Sequence, residues 1–328
     1  MRIAVIGGGS WGSALADTLA GKGFDVSLLV RSERQAREIS TEHRNRRYLG
    51  DTVLHPALRA VTDPAEALAG ISLCLLAAPC QHLRGVLTTL APHIPAGTAL
   101  VCASKGIERG SLAPMSAVAA AVLPGLPYAI LSGPSFAAEL LRGLPTAVVL
   151  GCADKPLGEE LRTIFSTGSF RVYSSPDVVG VELGGALKNV MALAAGLSDG
   201  LGFGHNSRAA LITRGLAEMS RLGANMGAKA ATFMGLSGMG DLVLSCTGDL
   251  SRNRRVGLRL GAGEPLSDIL ASMHEVAEGV PTTEGAVALA ERHGSEMPIC
   301  ETVLAVLQGK TDPAAAVREL MTRSLKEE

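Results

Sequence analysis

Short apolar runs alternate with helical patterns over the first half of the chain. RIAVI (2–6), DVSLLV (25–30), ISLCLLA (71–77), TALVCA (98–103), YAILS (128–132) and TAVVL (146–150) are almost free of charge. Runs this short and this apolar predict strands buried on both faces, as in a parallel sheet covered by helices above and below. Segments such as 10–21 and 81–91 carry helical spacing between them. Turn residues follow many of the strands, in GGG, AAP, SKG and SGP, and the carboxyl ends of an open α/β sheet are where ligands bind. From about residue 177 the texture changes to long Ala/Leu/Met-rich stretches broken by glycine, over 177–197, 207–225, 251–262, 266–275, 283–293 and 299–309. These predict helices. FRVYSSPD (170–177) supplies a last strand and a Pro-Asp helix start. The expected architecture is α/β: a domain over 1–176 with a mostly parallel sheet, then an all-helical domain over 177–328. The cleft between two such domains is the default active site.

The first strand runs straight into Gly7-x-Gly9-x-x-Gly12 and then into a helix. The three glycines suit a tight turn, close backbone approach to a pyrophosphate and helix–strand packing; the fingerprint alone is weak, but its strand–turn–helix frame favours a Rossmann-like, dinucleotide-binding domain over a bare structural turn. The helix N-terminus offers N–H groups to the phosphates. Ser10 and Trp11 lie inside this loop; Trp11 is either an anchor or a ligand contact, and its position favours contact. An NAD site usually places an acid after the second strand, but here that strand leads into Arg31-Ser32-Glu33-Arg34. Arginine there accommodates a 2′-phosphate, so NADP is favoured over NAD. Ordinary solvated charge at a helix start is the alternative.

Composition narrows the partners. A net charge of −1 argues against a general nucleic-acid binder, and an aromatic content of 3% leaves few surfaces for base stacking. Six cysteines lie scattered, mostly in apolar runs and without metal-like spacing, which predicts reduced, structural thiols, no metal and a cytoplasmic protein. The first strand leaves no room for a signal peptide, and no uninterrupted apolar run approaches ~18 residues, so no membrane span is expected.

Four places carry candidate chemistry. Lys188 stands in VELGGALKNVMALAAG, with Gly184, Gly185, Met191 and Ala192 at helical neighbour positions. A lysine partly desolvated on such a small, apolar face suits proton transfer; a snorkelling lysine is the bland alternative. Asn189 beside it has hydrogen-bonding capacity of its own. Asp241, in GLSGMGDLVLSCTG, is either an N-cap or the partner that orients a lysine. Lys105 in CASKGIE and Ser135 in SGPSFAAE occupy strand-end loops. In LSRNRRVG, Ser251 is a credible N-cap whose helix start presents Ser251, Arg252 and Asn253 to a phosphate. Arg254 and Arg255 read as helix surface or local pairing.

GGGSWGSALA, NRRYLG, SKGIE, LSGPSFAAE, GVELGGALKNVMALAAGLSDGLGFG, RAALITRGLAEM, GLSGMGDLVLSCTG, LSRNRRVG and VAEGVPTTEG occur in this order, up to about residue 310. Together they resemble the bacterial-type NAD(P)-dependent glycerol-3-phosphate dehydrogenases. The resemblance implies interconversion of dihydroxyacetone phosphate and sn-glycerol 3-phosphate, whose biosynthetic direction feeds glycerophospholipids. It implies hydride delivery from NAD(P)H to the C2 carbonyl, with Lys188 as proton donor and acceptor, Asp241 positioning it and Lys105 adding positive field. Substrate contacts then fall on Lys105, Gly133, Ser135, Lys188, Asp241, Ser251, Arg252 and Asn253. Cofactor contacts fall on Ser10, Trp11, Arg31, Lys105, Ala137, Arg252, Val276 and Glu278, with Arg34 and Tyr48 as weaker candidates. Two positions depart from the pattern: Gly50 stands where proline is common after the Tyr-Leu pair, and His205 where many members carry an acid. The expected partner is a small triose phosphate, with no nucleic acid, and the reading leaves room for a homodimer. Rival readings are another β-hydroxyacid-type dehydrogenase, a UDP-sugar dehydrogenase using Cys246 as nucleophile, and a non-catalytic NADP-sensing protein.

Overall fold

The predicted strands form a single sheet. In a computed structural model that describes residues 1–273 and 275–322, β1 (Arg2–Ile6), β2 (Asp25–Leu29), β3 (Arg59–Val61), β4 (Leu73–Leu76), β5 (Ala99–Cys102), β6 (Tyr128–Ser132), β7 (Thr146–Gly151) and β8 (Phe170–Ser175) pair in the order β3-β2-β1-β4-β5-β6-β7-β8. All neighbours are parallel except β6 and β7, which run antiparallel. The order 3-2-1-4-5-6 is that of a dinucleotide-binding sheet, with its topological switch between β1 and β4. Strand β3 was not among the expected runs. It is three residues long with an exposed first residue, too short for its periodicity to register.

Burial follows the pleat. Ile3, Val5, Leu73 and Leu75 face one core, and Ala4, Ile6, Cys74 and Leu76 the other, so both faces are covered. Helices α1 (Ser10–Gly21) and α2 (Glu33–Glu42) pack on the first core, and the short α3 (Arg46–Leu49) follows them in the chain. Helices α4 (Pro64–Leu68), α5 (Leu83–Leu90) and α6 (Met115–Val122) pack on the second core. Helices α7 (Ala137–Leu141) and α8 (Lys155–Phe165) return to the first face. Local chemistry sets the helix starts: Ser32, Asp63 and Asp154 each accept a backbone N–H as N-cap of α2, α4 and α8. Lys22, just past α1, donates to the carbonyls of Thr163, Ile164 and Ser166 at the end of α8, placing positive charge at that helix's negative pole.

The remaining elements are helical: α9 (Val178–Gly200), α10 (His205–Asn225), α11 (Ala230–Phe233), a π-helical turn over Leu236–Gly240, α12 (Asp241–Thr247), α13 (Arg252–Gly261), α14 (Leu266–Ala271), α15 (Gly279–Arg292), α16 (Pro298–Leu307) and α17 (Pro313–Thr322). The chain packs as two compact units. One comprises Met1–Lys105 and Ala113–Glu182; the other comprises Gly106–Leu112 and the chain from Leu183 onward. Helix α9 is long and apolar enough to cross a membrane by length and composition. However, 83% of its most apolar window is buried inside the protein, which makes it a core helix. Leu187, Val190, Met191 and Leu193 on α9 meet Leu216 and Met219 of α10, Leu242 of α12 and Val256 of α13 in the helical core.

The α9–α13 contact is glycine on glycine. A Cβ at Gly196 would lie 2.0 Å from Arg254 O, and one at Gly257 would lie 2.0 Å from Leu193 O. Gly200 and Gly261 repeat the arrangement one turn on, so the two backbones touch directly along this face.

Candidate active site

In the first unit, the expected ligand-binding loops lie at the carboxyl ends of parallel strands. Gly7 adopts φ +116°, and a Cβ there would lie 2.8 Å from Ala77 O at the end of β4. A Cβ at Gly12 would meet Gly7 O at 2.0 Å, whereas one at Gly9 would meet nothing within 4 Å. The loop is therefore closed against the sheet and open at Gly9, which N-caps α1 without any side-chain bond. An open, uncapped helix start at the switch point fits the diphosphate of a dinucleotide. The Trp11 ring packs edge-on against Phe170, centroids 6.4 Å apart, on the same core that Ala137 borders, a contact that ties the loop to the core and leaves the cofactor reading of Trp11 open.

Arg31 and Arg34 are both exposed and flank Ser32, the cap of α2. Neither makes an ion pair among the described residues, while Glu33 between them accepts from Thr62 Oγ1. Tyr48 is half-buried under the Arg47 guanidinium, 5.5 Å from its ring centroid. Gly50 adopts φ +58°, which a proline ring cannot reach, so this loop follows a path closed to the more common residue. Beyond β5 and β6, Lys105 Nζ and Ser135 Oγ converge on one acceptor, donating to Gly133 O at 3.2 and 3.1 Å.

In the second unit, Lys188 is 13% exposed and donates to Asp241 Oδ1 at 2.8 Å and Ser245 Oγ at 2.7 Å. Asp241 and Ser245 are buried on α12, one helical turn apart. Asp241 is thus a lysine partner. The small face around Lys188 has a structural cause as well: a Cβ at Gly184 would lie 2.4 Å from Ser237 O, so the π-helical turn crosses there backbone to backbone.

Ser251 caps α13 as expected, accepting from Arg254 N. Arg252, on the first turn, is 39% exposed, with Glu275 3.8 Å from its guanidinium. The buried Asn253 ties three elements together. Its Nδ2 donates to Asn189 Oδ1 and its Oδ1 accepts from Gly279 N, both at 2.9 Å. Val276 is exposed and Glu278 immediately precedes α15, on the segment that also carries Glu275. Arg255 is exposed. Arg254 is not helix surface: it is 11% exposed and pairs with Asp199 at 2.8 Å and Asp249 at 2.9 Å. Asp199 also accepts from Arg208, so one buried carboxylate fixes two arginines. His205 is exposed at the start of α10.

The family model described as NAD-dependent glycerol-3-phosphate dehydrogenase N-terminus matches residues 2–157, and its C-terminus counterpart matches residues 177–318. The chain belongs to the NAD-dependent glycerol-3-phosphate dehydrogenase family. The NAD(P)+ glycerol-3-phosphate dehydrogenase of Oleidesulfovibrio alaskensis is 61% identical over 330 residues, with 100% of each chain covered. The crystal structure of glycerol-3-phosphate dehydrogenase from Coxiella burnetii superposes with a TM-score of 0.94 at 41% identity, covering 98% of this chain and 99% of that one. A D-mandelate dehydrogenase shares the fold alone, at 17% identity and a TM-score of 0.63.

On this glycerol-3-phosphate dehydrogenase scaffold, sequence reasoning did not single out Ser245, Asp199 or Asn45. Ser245 stands four residues after Asp241, a spacing that marks it once α12 is known to be helical. Asp199 carries the one carboxylate at the end of an apolar helix. Asn45 sits in a polar stretch where nothing local signals that it is buried.

Proposed function

We propose that the protein interconverts dihydroxyacetone phosphate and sn-glycerol 3-phosphate with NAD(P)H, NADPH being favoured, and so supplies glycerophospholipid synthesis in the cytoplasm. The observation that carries this reading is the buried Lys188–Asp241–Ser245 cluster, a proton-bearing group held in fixed orientation by two partners. Family membership supports the substrate pair and either nicotinamide cofactor. Six buried free cysteines suit a reducing compartment. The first unit serves as the dinucleotide domain and the second as the substrate and catalytic domain.

The nicotinamide, when bound, supplies the hydride. Gly7, Gly9, Ser10, Trp11 and Gly12 would hold its diphosphate end, and Arg31 with Arg34 would neutralise a 2′-phosphate. Tyr48, Ala137, Val276 and Glu278 would complete its contacts. Lys188, as ammonium, gives a proton to the oxygen on substrate C2 as that oxygen gains charge; in the reverse direction the neutral amine takes it back. Asp241, with Ser245, holds Nζ in place. Lys105, Gly133 and Ser135 add donors and positive field for the substrate's oxygens. Arg252, the Ser251 hydroxyl and the Asn253 backbone N–H receive the phosphate, fixing the orientation that hydride transfer requires.

The test is oxidation of NADH and NADPH, titrated separately, with dihydroxyacetone phosphate and with 6-phosphogluconate oxidation as the rival reaction. Lys188→Ala should retain cofactor binding while turnover falls by roughly 10²–10⁴-fold. Near-unchanged kcat in that variant would refute the assignment.

A further inference from the structure

Gly8 occupies a variable position of the glycine fingerprint, yet no side chain fits there. A Cβ would lie 2.5 Å from Val30 Cγ1 and 2.9 Å from Gln35 Nε2. A pair of amides crowds this side of the loop. Gln35 Nε2 donates to Gly8 O at 2.6 Å, and Asn45 Nδ2 donates to the same oxygen at 2.9 Å. Asn45 Nδ2 also donates to Ser13 Oγ at 2.8 Å, and Asn45 Oδ1 accepts from Gln35 Nε2 at 3.2 Å. Asn45 is 0% exposed, although Arg46 and Arg47 next to it are on the surface. A carboxamide buried so completely, with donors and acceptor all engaged, is a built element of the loop.

The direction of the Gly8–Gly9 peptide gives this clamp its purpose. A peptide is planar and trans, so a Gly8 carbonyl drawn toward Asn45 and Gln35 turns the Gly9 N–H the opposite way. Gly9 is the open side of the loop. Three successive glycines offer little resistance to a peptide flip, and a flip would aim a carbonyl oxygen at an anion in place of an N–H. We propose that Asn45 and Gln35 are positioning residues that lock the Gly8–Gly9 peptide with its N–H toward the diphosphate of the bound dinucleotide. The proposal rests on the dinucleotide reading above. Because NADH and NADPH share the diphosphate, the clamp serves both equally, in contrast to Arg31 and Arg34.

Trp11 is the single tryptophan of the chain and lies two residues past Gly9, so its emission reports on the loop without turnover. Gln35→Glu and Asn45→Asp keep size and replace a donor by an acceptor facing the Gly8 carbonyl. Each should weaken NADH and NADPH by about tenfold or more in Trp11 quenching titrations. Adenosine 2′-monophosphate, which lacks the diphosphate, should compete as it does against the unaltered protein. If Asn45→Asp fails to fold, Gln35→Glu on the partly buried α2 decides alone. Unchanged dinucleotide affinity in folded Gln35→Glu would overturn the proposal. So would parallel weakening of adenosine 2′-monophosphate, which would reveal general loosening of the domain. An unaltered chain that binds neither dinucleotide would instead overturn the cofactor reading itself.

Discussion

Glu218 shows what burial does to a single side chain away from the chemistry. It is buried on α10 and accepts from Ile299 N at 2.9 Å, capping the start of α16 from a distance. Desolvation is the larger influence and pushes its carboxyl from 4.5 up to about 7, against the backbone hydrogen bonds from Ile299 and Cys300 that pull it down. Between those two pH values the folded protein holds a proton that the unfolded chain has released. Stability therefore falls as pH rises from 4.5 toward 7, by about 3 kcal/mol in all. Glu218→Gln keeps an acceptor for Ile299 N and should flatten that part of the profile; urea unfolding at pH 5 and pH 7 measures it. An unaltered slope would show that the carboxyl titrates normally. Nothing near Glu218 in the sequence announces this, because its partners lie 81 residues away. Lys188 was legible for the opposite reason: a lone lysine on an apolar helix stands out in the chain itself. The partner Ser245 became legible only when α12 fixed its register to Asp241.

At the scale of elements, strand runs and capping residues were read directly, since an apolar run or a Ser before a helical pattern is local information. The antiparallel β7 was not legible, because TAVVL looks the same whichever way it pairs. The glycines of α9 and α13 were visible as punctuation, yet their meaning lies in the opposing backbone. Leu193 O lies 2.0 Å from where a Gly257 Cβ would stand, and this atom has no side-chain freedom with which to yield. Gly257→Ala should therefore push α13 off α9. The Arg254–Asp199 pair, 2.8 Å long, would be strained at the same time, and the helix start carrying Ser251, Arg252 and Asn253 would shift with it. The expected cost is about 1–3 kcal/mol of stability, with a lower Tm and a raised KM for the triose phosphate. kcat at saturating substrate should fall less, because Lys188 and Asp241 sit on α9 and α12. A variant with unchanged Tm and KM would mean that the two helices separate freely.

Over the whole molecule, the division of texture near residue 177 foreshadowed a sheet-based part and a helical part. The packing of Gly106–Leu112 with the helical unit was invisible, since seven residues carry no period of their own. Composition had predicted reduced, structural cysteines, and their distribution makes that a property of the entire chain. Cys74, Cys80, Cys102, Cys152, Cys246 and Cys300 are all free and all buried. Burial pushes the thiols of Cys74, Cys102 and Cys246 up to about 12, far from the thiolate that a nucleophile needs. Cys246 matters most, because a UDP-sugar dehydrogenase would require it as an activated thiol; Lys188 lowers its value, but desolvation outweighs that pull. The native protein should therefore react only slowly with a thiol reagent such as dithionitrobenzoate, and should release all six thiols once unfolded in guanidinium. Activity should persist through the native exposure, since hydride transfer with Lys188 as proton carrier uses no sulfur. A fast-reacting thiol whose modification abolished turnover would return the sulfur-based mechanism to consideration.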